Sequence, residues 1–205
     1  MTRLSAVAEL GAARDYVVDA GGERRLRGQE QAQLPGLLDR SHAAEHLRGF
    51  AVGAAPGRIE RGEVVLVERT VVYDIVEQMG DAAEAISAYT TDLDLSWAGT
   101  DLPKGVRRGP IVSADRDLLP ADIPRLEKQF GAVAGDWESG AIAWTARRNG
   151  VPVLILRGVS DLVGEGGSET YGNLAAFEEG SRAVMKRLLD ELPFWLTRWD
   201  SATAP

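Results

Sequence analysis

The sequence predicts an α/β protein built on a mostly parallel, mixed central sheet. Three observations carry that prediction. Val151 to Asp161 reads VPVLILRGVSD, aliphatic almost throughout and without alternation, as in a strand covered on both faces. Glu63–Glu68 (EVVLVE) and Thr70–Tyr73 (TVVY) are valine-rich, which favours strands. Segments of helical spacing fall between and after these runs, so that strand and helix alternate.

Taken in order, Leu4–Ala8 reads as a short buried strand and Leu37–Leu47 as a helix with one polar face. Phe50-Ala51-Val52 is a strand that stops at the Gly53-Ala54-Ala55-Pro56-Gly57 turn, because Gly and Pro punctuate regular structure. The two valine-rich runs follow as strands. Asp81–Tyr89 is helical. Asp92–Arg108, rich in Asp, Gly and Pro, reads as a surface loop. Gly109–Ser113 is an apolar strand running into Ala114-Asp115-Arg116-Asp117. Asp122–Phe130 and Glu138–Arg148 are helices, the second ended by Asn149-Gly150 as a C-cap. Val151–Asp161 is the buried strand, and a long helix closes the chain over roughly Asn173–Leu196.

Composition sets limits on function. The 205 residues are 44% hydrophobic and 26% charged, which is ordinary for a globular domain. Acidic residues outnumber basic ones by 31 to 23, a formal charge of −8, and this argues against nucleic acid as a partner. The absence of cysteine excludes disulfides, thiolate metal sites and a cysteine nucleophile. His42 and His46, the only histidines, stand four apart on the Leu37–Leu47 helix without an intervening glutamate at the required place, and read as solvated. Met1–Glu9 has no long apolar core of a secretion signal, and no window of about 18 apolar residues could span a bilayer. A cytoplasmic protein with no membrane partner is therefore expected.

In a parallel sheet the ligand sits beyond the carboxyl ends of the strands. That rule points to Glu9, Gly53–Gly57, Ser113–Asp117 and Ser160-Asp161. Asp161 ends an apolar strand. It is either a cap accepting backbone N–H groups or a partly desolvated carboxyl that can give a proton. Glu138 opens a helix in Gly135-Asp136-Trp137-Glu138-Ser139-Gly140-Ala141. The helix dipole alone explains an acid there. An acidic pair flanking Trp137, followed by small residues, equally suits a sugar, with Glu138 accepting two ribose hydroxyls and the indole offering an apolar face. Ser113 and Ser160 lack a Gly-x-Ser-x-Gly elbow and a neighbouring histidine, which argues against a serine hydrolase. The Gly53–Gly57 turn lacks the spacing of a dinucleotide or P-loop.

Together these residues resemble a family. VPVLILRGVSD (Val151–Asp161) resembles the strand preceding the catalytic aspartate of nucleoside phosphorylases and nucleosidases. Ala134–Ala143 is similar to that family's Glu-Met-Glu segment, and Gly109–Asp115 to its Ile-Val-Ser-Gly-Asp strand end. Val52–Gly57 followed by Gly62-Glu63-Val64-Val65 resembles its Gly-x-Ala-Gly turn and Gly-Asp-Val-Val strand. The blocks keep the family order over about residues 50–190 and are most similar to the methylthioadenosine/S-adenosylhomocysteine nucleosidases.

The resemblance implies one three-layer α/β/α domain over residues 1–205 and cleavage of an N-glycosidic bond through an oxocarbenium-like ribosyl cation. It implies that Asp161 protonates the departing purine, that Glu138 holds the ribose hydroxyls with Trp137 against the sugar, and that Glu9 orients the attacking water. Asp117 and Leu118 fall where the family backbone meets the purine edge. Asp136, Ser160, Gly53 and Ala54 complete the implied substrate-binding set. No metal or cofactor is implied, and a homodimer is. A phosphorylase, a futalosine-type hydrolase and a nucleoside-binding protein without turnover are the alternatives. Alanines in the Gly53 turn, where many relatives carry Ser or Thr, favour water over phosphate. Two departures stand out: Trp137 replaces a methionine, and Arg27-Gly28-Gln29-Glu30 stands in place of a Gly-rich turn.

Overall fold

A computed structural model describes residues 51–54, 57 and 59–203. The expected Leu4–Ala8 strand and Leu37–Leu47 helix, with Glu9, His42 and His46, lie outside the described residues. The elements are β1 (Ala51–Ala54), β2 (Val64–Val72), α1 (Ala82–Ala88), β3 (Thr91–Asp92), β4 (Val106–Ser113), α2 (Ile123–Phe130), β5 (Ala134–Asp136), α3 (Ser139–Arg148), β6 (Leu156–Gly164), β7 (Gly167–Ser168) and α4 (Leu174–Thr203).

The strands are ordered β3-β2-β4-β5-β1-β6-β7, and β2 also pairs with β6, so the sheet curls back on itself. The long ladders are parallel: β2 with β4 from Val64↔Val106 to Val72↔Ser113, and β1 with β6 from Ala51↔Gly158 to Ala54↔Leu162. The sheet is mixed because β1–β5, β2–β3, β2–β6 and β6–β7 run antiparallel.

Strand β2 shows why helices lie on both faces. Its side chains alternate across the pleat. Val65 and Val67 enter a cluster with Ile111, Val159 and Ala143 of α3, whereas Val64 packs on Met185 and Leu188 and Leu66 on Trp195, all of α4. Each such aliphatic side chain contributes roughly 1.5–3 kcal/mol on burial. A helix on each face of a mixed sheet is the three-layer α/β/α arrangement expected from the sequence.

Several boundaries differ from expectation. The two valine-rich runs form one strand with a register shift between Val67 and Arg69. Arg69 turns outward there to pair with Asp92 at 2.5 Å. The expected loop 92–108 contains a short 3-10 turn at Ser96–Ala98 and the first residues of β4. Strand β6 begins at Leu156 rather than Val151, consistent with Pro152 lacking a ladder N–H. It also runs past Asp161 to Gly164. Asp161 is therefore within the strand, not at its end. The C-cap of α3 is Asn149, with Gly150 at φ +64, as the sequence indicates.

Helix α4 is fastened at both ends. Near its start Gly158 of β6 lies under it: a Cβ there would meet Val184 Cβ at 2.5 Å. Gly180 lets the helix ride on the backbone carbonyl of Ser160, 2.8 Å from where its own Cβ would stand. Near its end Trp97 meets Trp199 edge-on at 5.2 Å and Trp195 at 6.4 Å, and Phe194 meets Trp195 at 5.0 Å. Arg198 donates to the carbonyls of Ala98 and Asp101, each at 2.6 Å. On the α3 side, Tyr89 stacks on Trp144 at 5.0 Å and Arg148 covers the same indole at 4.7 Å.

Gly158→Ala is expected to lower stability by about 1–3 kcal/mol through overpacking. Adding Val184→Ala should recover part of that loss, as read by denaturant unfolding of the single and double variants.

Candidate active site

The centre of the site is a buried ion pair. Asp136 ends β5, and Arg157 lies on β6 in an otherwise aliphatic run. Their side chains are almost wholly buried and meet at 2.8 Å, Arg157 Nε to Asp136 Oδ2. A buried carboxylate needs its remaining lone pairs satisfied. Ser113 Oγ, at the end of β4, donates to Asp136 Oδ1 at 2.6 Å. The Ser139 backbone N–H donates to both oxygens, and its hydroxyl also bonds to Oδ2. Ser113 Oγ in turn accepts the Gly140 N–H at 2.8 Å. The first turn of α3 is thereby bound to the ends of β4 and β5. Gly140 is required at this contact, since a Cβ would stand 2.6 Å from Val72 and 3.1 Å from Ser113.

Glu138 occupies the cap position of α3, partly open to solvent. Arg157 Nη2 approaches its Oε2 at 3.5 Å. The guanidinium thus faces Asp136 through one edge and Glu138 through another. Asp136, expected to touch substrate, has its carboxylate bonded by Arg157, Ser113 and Ser139. Trp137, between the two acids, is 57% exposed.

Asp161 lies on the neighbouring part of the sheet. Gly53 of β1 is in register with Gly135 on one side and with Asp161 on the other. Two strand spacings therefore separate the β5 segment from Asp161, about 10 Å. The β1–β6 register shifts here: Val52 pairs with Val159, but Gly53 with Asp161. Ser160 is the extra residue of a bulge, a feature that re-aims side chains. In a regular pleat Ser160 and Asp161 would point to opposite faces, yet the Ser160 hydroxyl bonds to Asp161 Oδ1. Asp161 is 6% exposed, and Ser168 of β7 donates to its Oδ2.

Tyr171 joins this cluster to the loop after β4. Its hydroxyl donates to the Leu118 carbonyl at 3.0 Å. Burial pushes its phenol up to about 12, and the negative charges of Asp117 and Asp161 add to the rise. Leu118 and Ala54 line one apolar hollow with Val112 and Leu126. Asp117 itself faces solvent. The structure therefore brings Asp161, Ser160, Gly53, Ala54 and Leu118 into one neighbourhood, and Glu138 and Asp136 into the adjoining one. Glu9 lies outside the described residues.

Sequence reasoning did not single out Arg157, Ser168, Thr170 or Tyr171. Arg157 carried a signal, since an arginine in a buried aliphatic strand demands a carboxylate partner. The hairpin that brings Ser168 back to Asp161 had none beyond a Gly-Gly-Ser turn. Among the described residues no group of three His, Cys, Asp or Glu could hold a metal ion.

Removing one member of the buried pair should cost about 3–5 kcal/mol, because it strands the other charge. Asp136→Asn is expected to show that loss in urea unfolding, and the double variant Asp136→Asn/Arg157→Met a smaller one.

Three comparisons bear on this arrangement. The profile of the Phosphorylase superfamily matches residues 49–192. A 5'-methylthioadenosine/S-adenosylhomocysteine nucleosidase of Maridesulfovibrio salexigens is 31% identical over 145 residues, which cover 64% of this chain and 62% of the relative. The match thus spans less than two thirds of that relative's length. A nucleosidase of the same name from S. pneumoniae, solved with the transition-state inhibitor MT-ImmA, aligns at 20% identity with a TM-score of 0.50, covering 69% of this chain and 65% of that one. A structure from Borrelia burgdorferi B31 bound to adenine aligns at 18% identity with a TM-score of 0.53, covering 71% and 67%. At these identities the two structures bear on the fold. The profile match takes in well over half of the sequence, including the buried ion pair and Asp161, and on that ground the chain belongs to the Phosphorylase superfamily.

Proposed function

We propose that this chain is a single-domain purine nucleosidase that hydrolyses the ribose–base bond of a 5'-modified adenosine, of the methylthioadenosine/S-adenosylhomocysteine class. The observation that carries the reading is Asp161: a carboxyl only 6% exposed, held by two hydroxyls at a strand bulge, about two strand spacings from the segment leading to Glu138. The 31% identical relative of that activity supports the substrate class.

In this reading Asp161 delivers a proton to a ring nitrogen of the departing purine. The C1'–N bond breaks with its electron pair leaving on the base, and the ribosyl ring becomes an oxocarbenium-like cation. Water then adds to C1' and loses its proton to a carboxylate, the role the family resemblance assigns to Glu9. Glu138 accepts the 2' and 3' hydroxyls, and Arg157, at 3.5 Å, fixes its orientation and charge. The two acids divide proton transfer from sugar binding. The exposed indole of Trp137 covers the sugar. We assign a cytoplasmic homodimer, the dimer being what the family resemblance implies.

Asp161→Asn should lower base release by about 10²–10⁴-fold, the span of a general acid, while nucleoside binding persists. Glu138→Gln should cost roughly 10–100-fold in kcat/KM, the loss of charge-assisted hydrogen bonds. Chromatography of free base from a nucleoside panel, with and without phosphate, checks both. Release that requires phosphate would mean a phosphorylase, and no release from any nucleoside would remove the enzyme reading.

A further inference from the structure

The hydroxyls around Asp161 obey a strict count. Ser168 Oγ has one proton to donate and two lone pairs to accept with. The Thr170 backbone N–H, at 3.1 Å, takes one lone pair. Two neighbours remain: Asp161 Oδ2, and Thr170 Oγ1 at 2.9 Å, where either oxygen can be the donor. Ser168 must donate to one of these and accept from the other. When Asp161 is ionised, Ser168 donates to it and Thr170 donates to Ser168. When Asp161 carries the proton on Oδ2, Ser168 accepts it and donates onward to Thr170. All three side chains are buried, so water does not readily substitute for a missing partner.

We propose that Ser168, backed by Thr170, is a positioning residue that sets the proton affinity of Asp161 by reversing its hydrogen-bond direction with each proton gained or lost. The proposal rests on Asp161 being the proton donor of the reading above only where it predicts rates; the titration it predicts stands without turnover. A donor to a carboxylate is worth more than the same group accepting from the neutral acid. Ser168 therefore favours the ionised form on balance, and its removal makes Asp161 bind its proton more tightly. Other groups facing Asp161 are the Ser160 hydroxyl on its own strand and the Tyr171 phenol from the turn after β7, with Asp117 beyond it. The Gly53 and Gly180 contacts from β1 and α4 present backbone only. None of these changes in a Ser168 variant.

The test is a carbon-13 NMR titration of the Asp161 carboxyl in the full chain, run beside the pH profile of kcat/KM for base release. Ser168→Ala should raise the Asp161 midpoint by about one unit, the typical effect of one charge-assisted hydrogen bond. The limb on which activity falls with rising pH should move upward equally, since the protonated acid persists to higher pH. Ser168→Thr keeps the hydroxyl and should restore both. Thr170→Val leaves Ser168 able to donate and should give a smaller upward shift; it also serves if Ser168→Ala fails to fold. An unchanged Asp161 midpoint in both Ser168→Ala and Thr170→Val overturns the inference. A shifted midpoint in a chain that releases no base upholds it and overturns the enzymatic reading instead.

Discussion

The charge of Arg157 is the constraint around which this molecule is arranged. A guanidinium cannot shed its proton, so a buried one must be matched by a fixed anion and by hydrogen-bond acceptors. Asp136 supplies the anion, and Ser113 and Ser139 satisfy what remains of its lone pairs. These four residues come from β4, β5, α3 and β6. The pair is a poor source of net stability, because desolvation offsets most of its attraction. Its contribution is positional. Breaking it costs far more than never having built it, so the register of four elements is held by a penalty for leaving it.

The two halves of the site use partners of different kinds. Around Asp136 and Glu138 the charged partner is a guanidinium, which has donors only, joined at Asp136 by the Ser113 and Ser139 hydroxyls. Around Asp161 the partners are hydroxyls, which can give or take. The two acids beside Arg157 thus face a fixed cation, whereas Asp161 faces neutral groups. Division of labour between nearby carboxylates needs such unequal surroundings.

Much of this was legible in the residues. The valine runs and the aliphatic strand before Asp161 announced the sheet, because burial on two faces leaves no room for alternation. Asn149-Gly150 announced the end of α3. Asp161, Glu138 and the small residues after it stood out as acids in apolar or small-residue company. What was not legible depended on register. A bulge at Ser160 changes which way two adjacent side chains point, and nothing in Gly-Val-Ser-Asp marks it. The three-residue strand β5 is too short to carry a period. Asp136 and Glu138 look alike two positions apart, yet one is buried against Arg157 and the other caps a helix. The close packing of Gly140 against Ser113 and Val72 sets the start of α3 beside them.

The five tryptophans fall into three separate environments. Trp97, Trp195 and Trp199 are packed edge to face around the far end of α4, Trp144 is stacked on Tyr89, and Trp137 stands half in water beside Glu138. From Gly180 to Trp195 the helix rises about 22 Å, so the aromatic cluster is well removed from the carboxyl groups. Emission from the cluster therefore follows the integrity of the scaffold, while the red-shifted light of the lone wet indole follows its own solvent-facing surroundings. The protein carries its own pair of separable optical reporters, one for the buried scaffold and one for the surface beside Glu138.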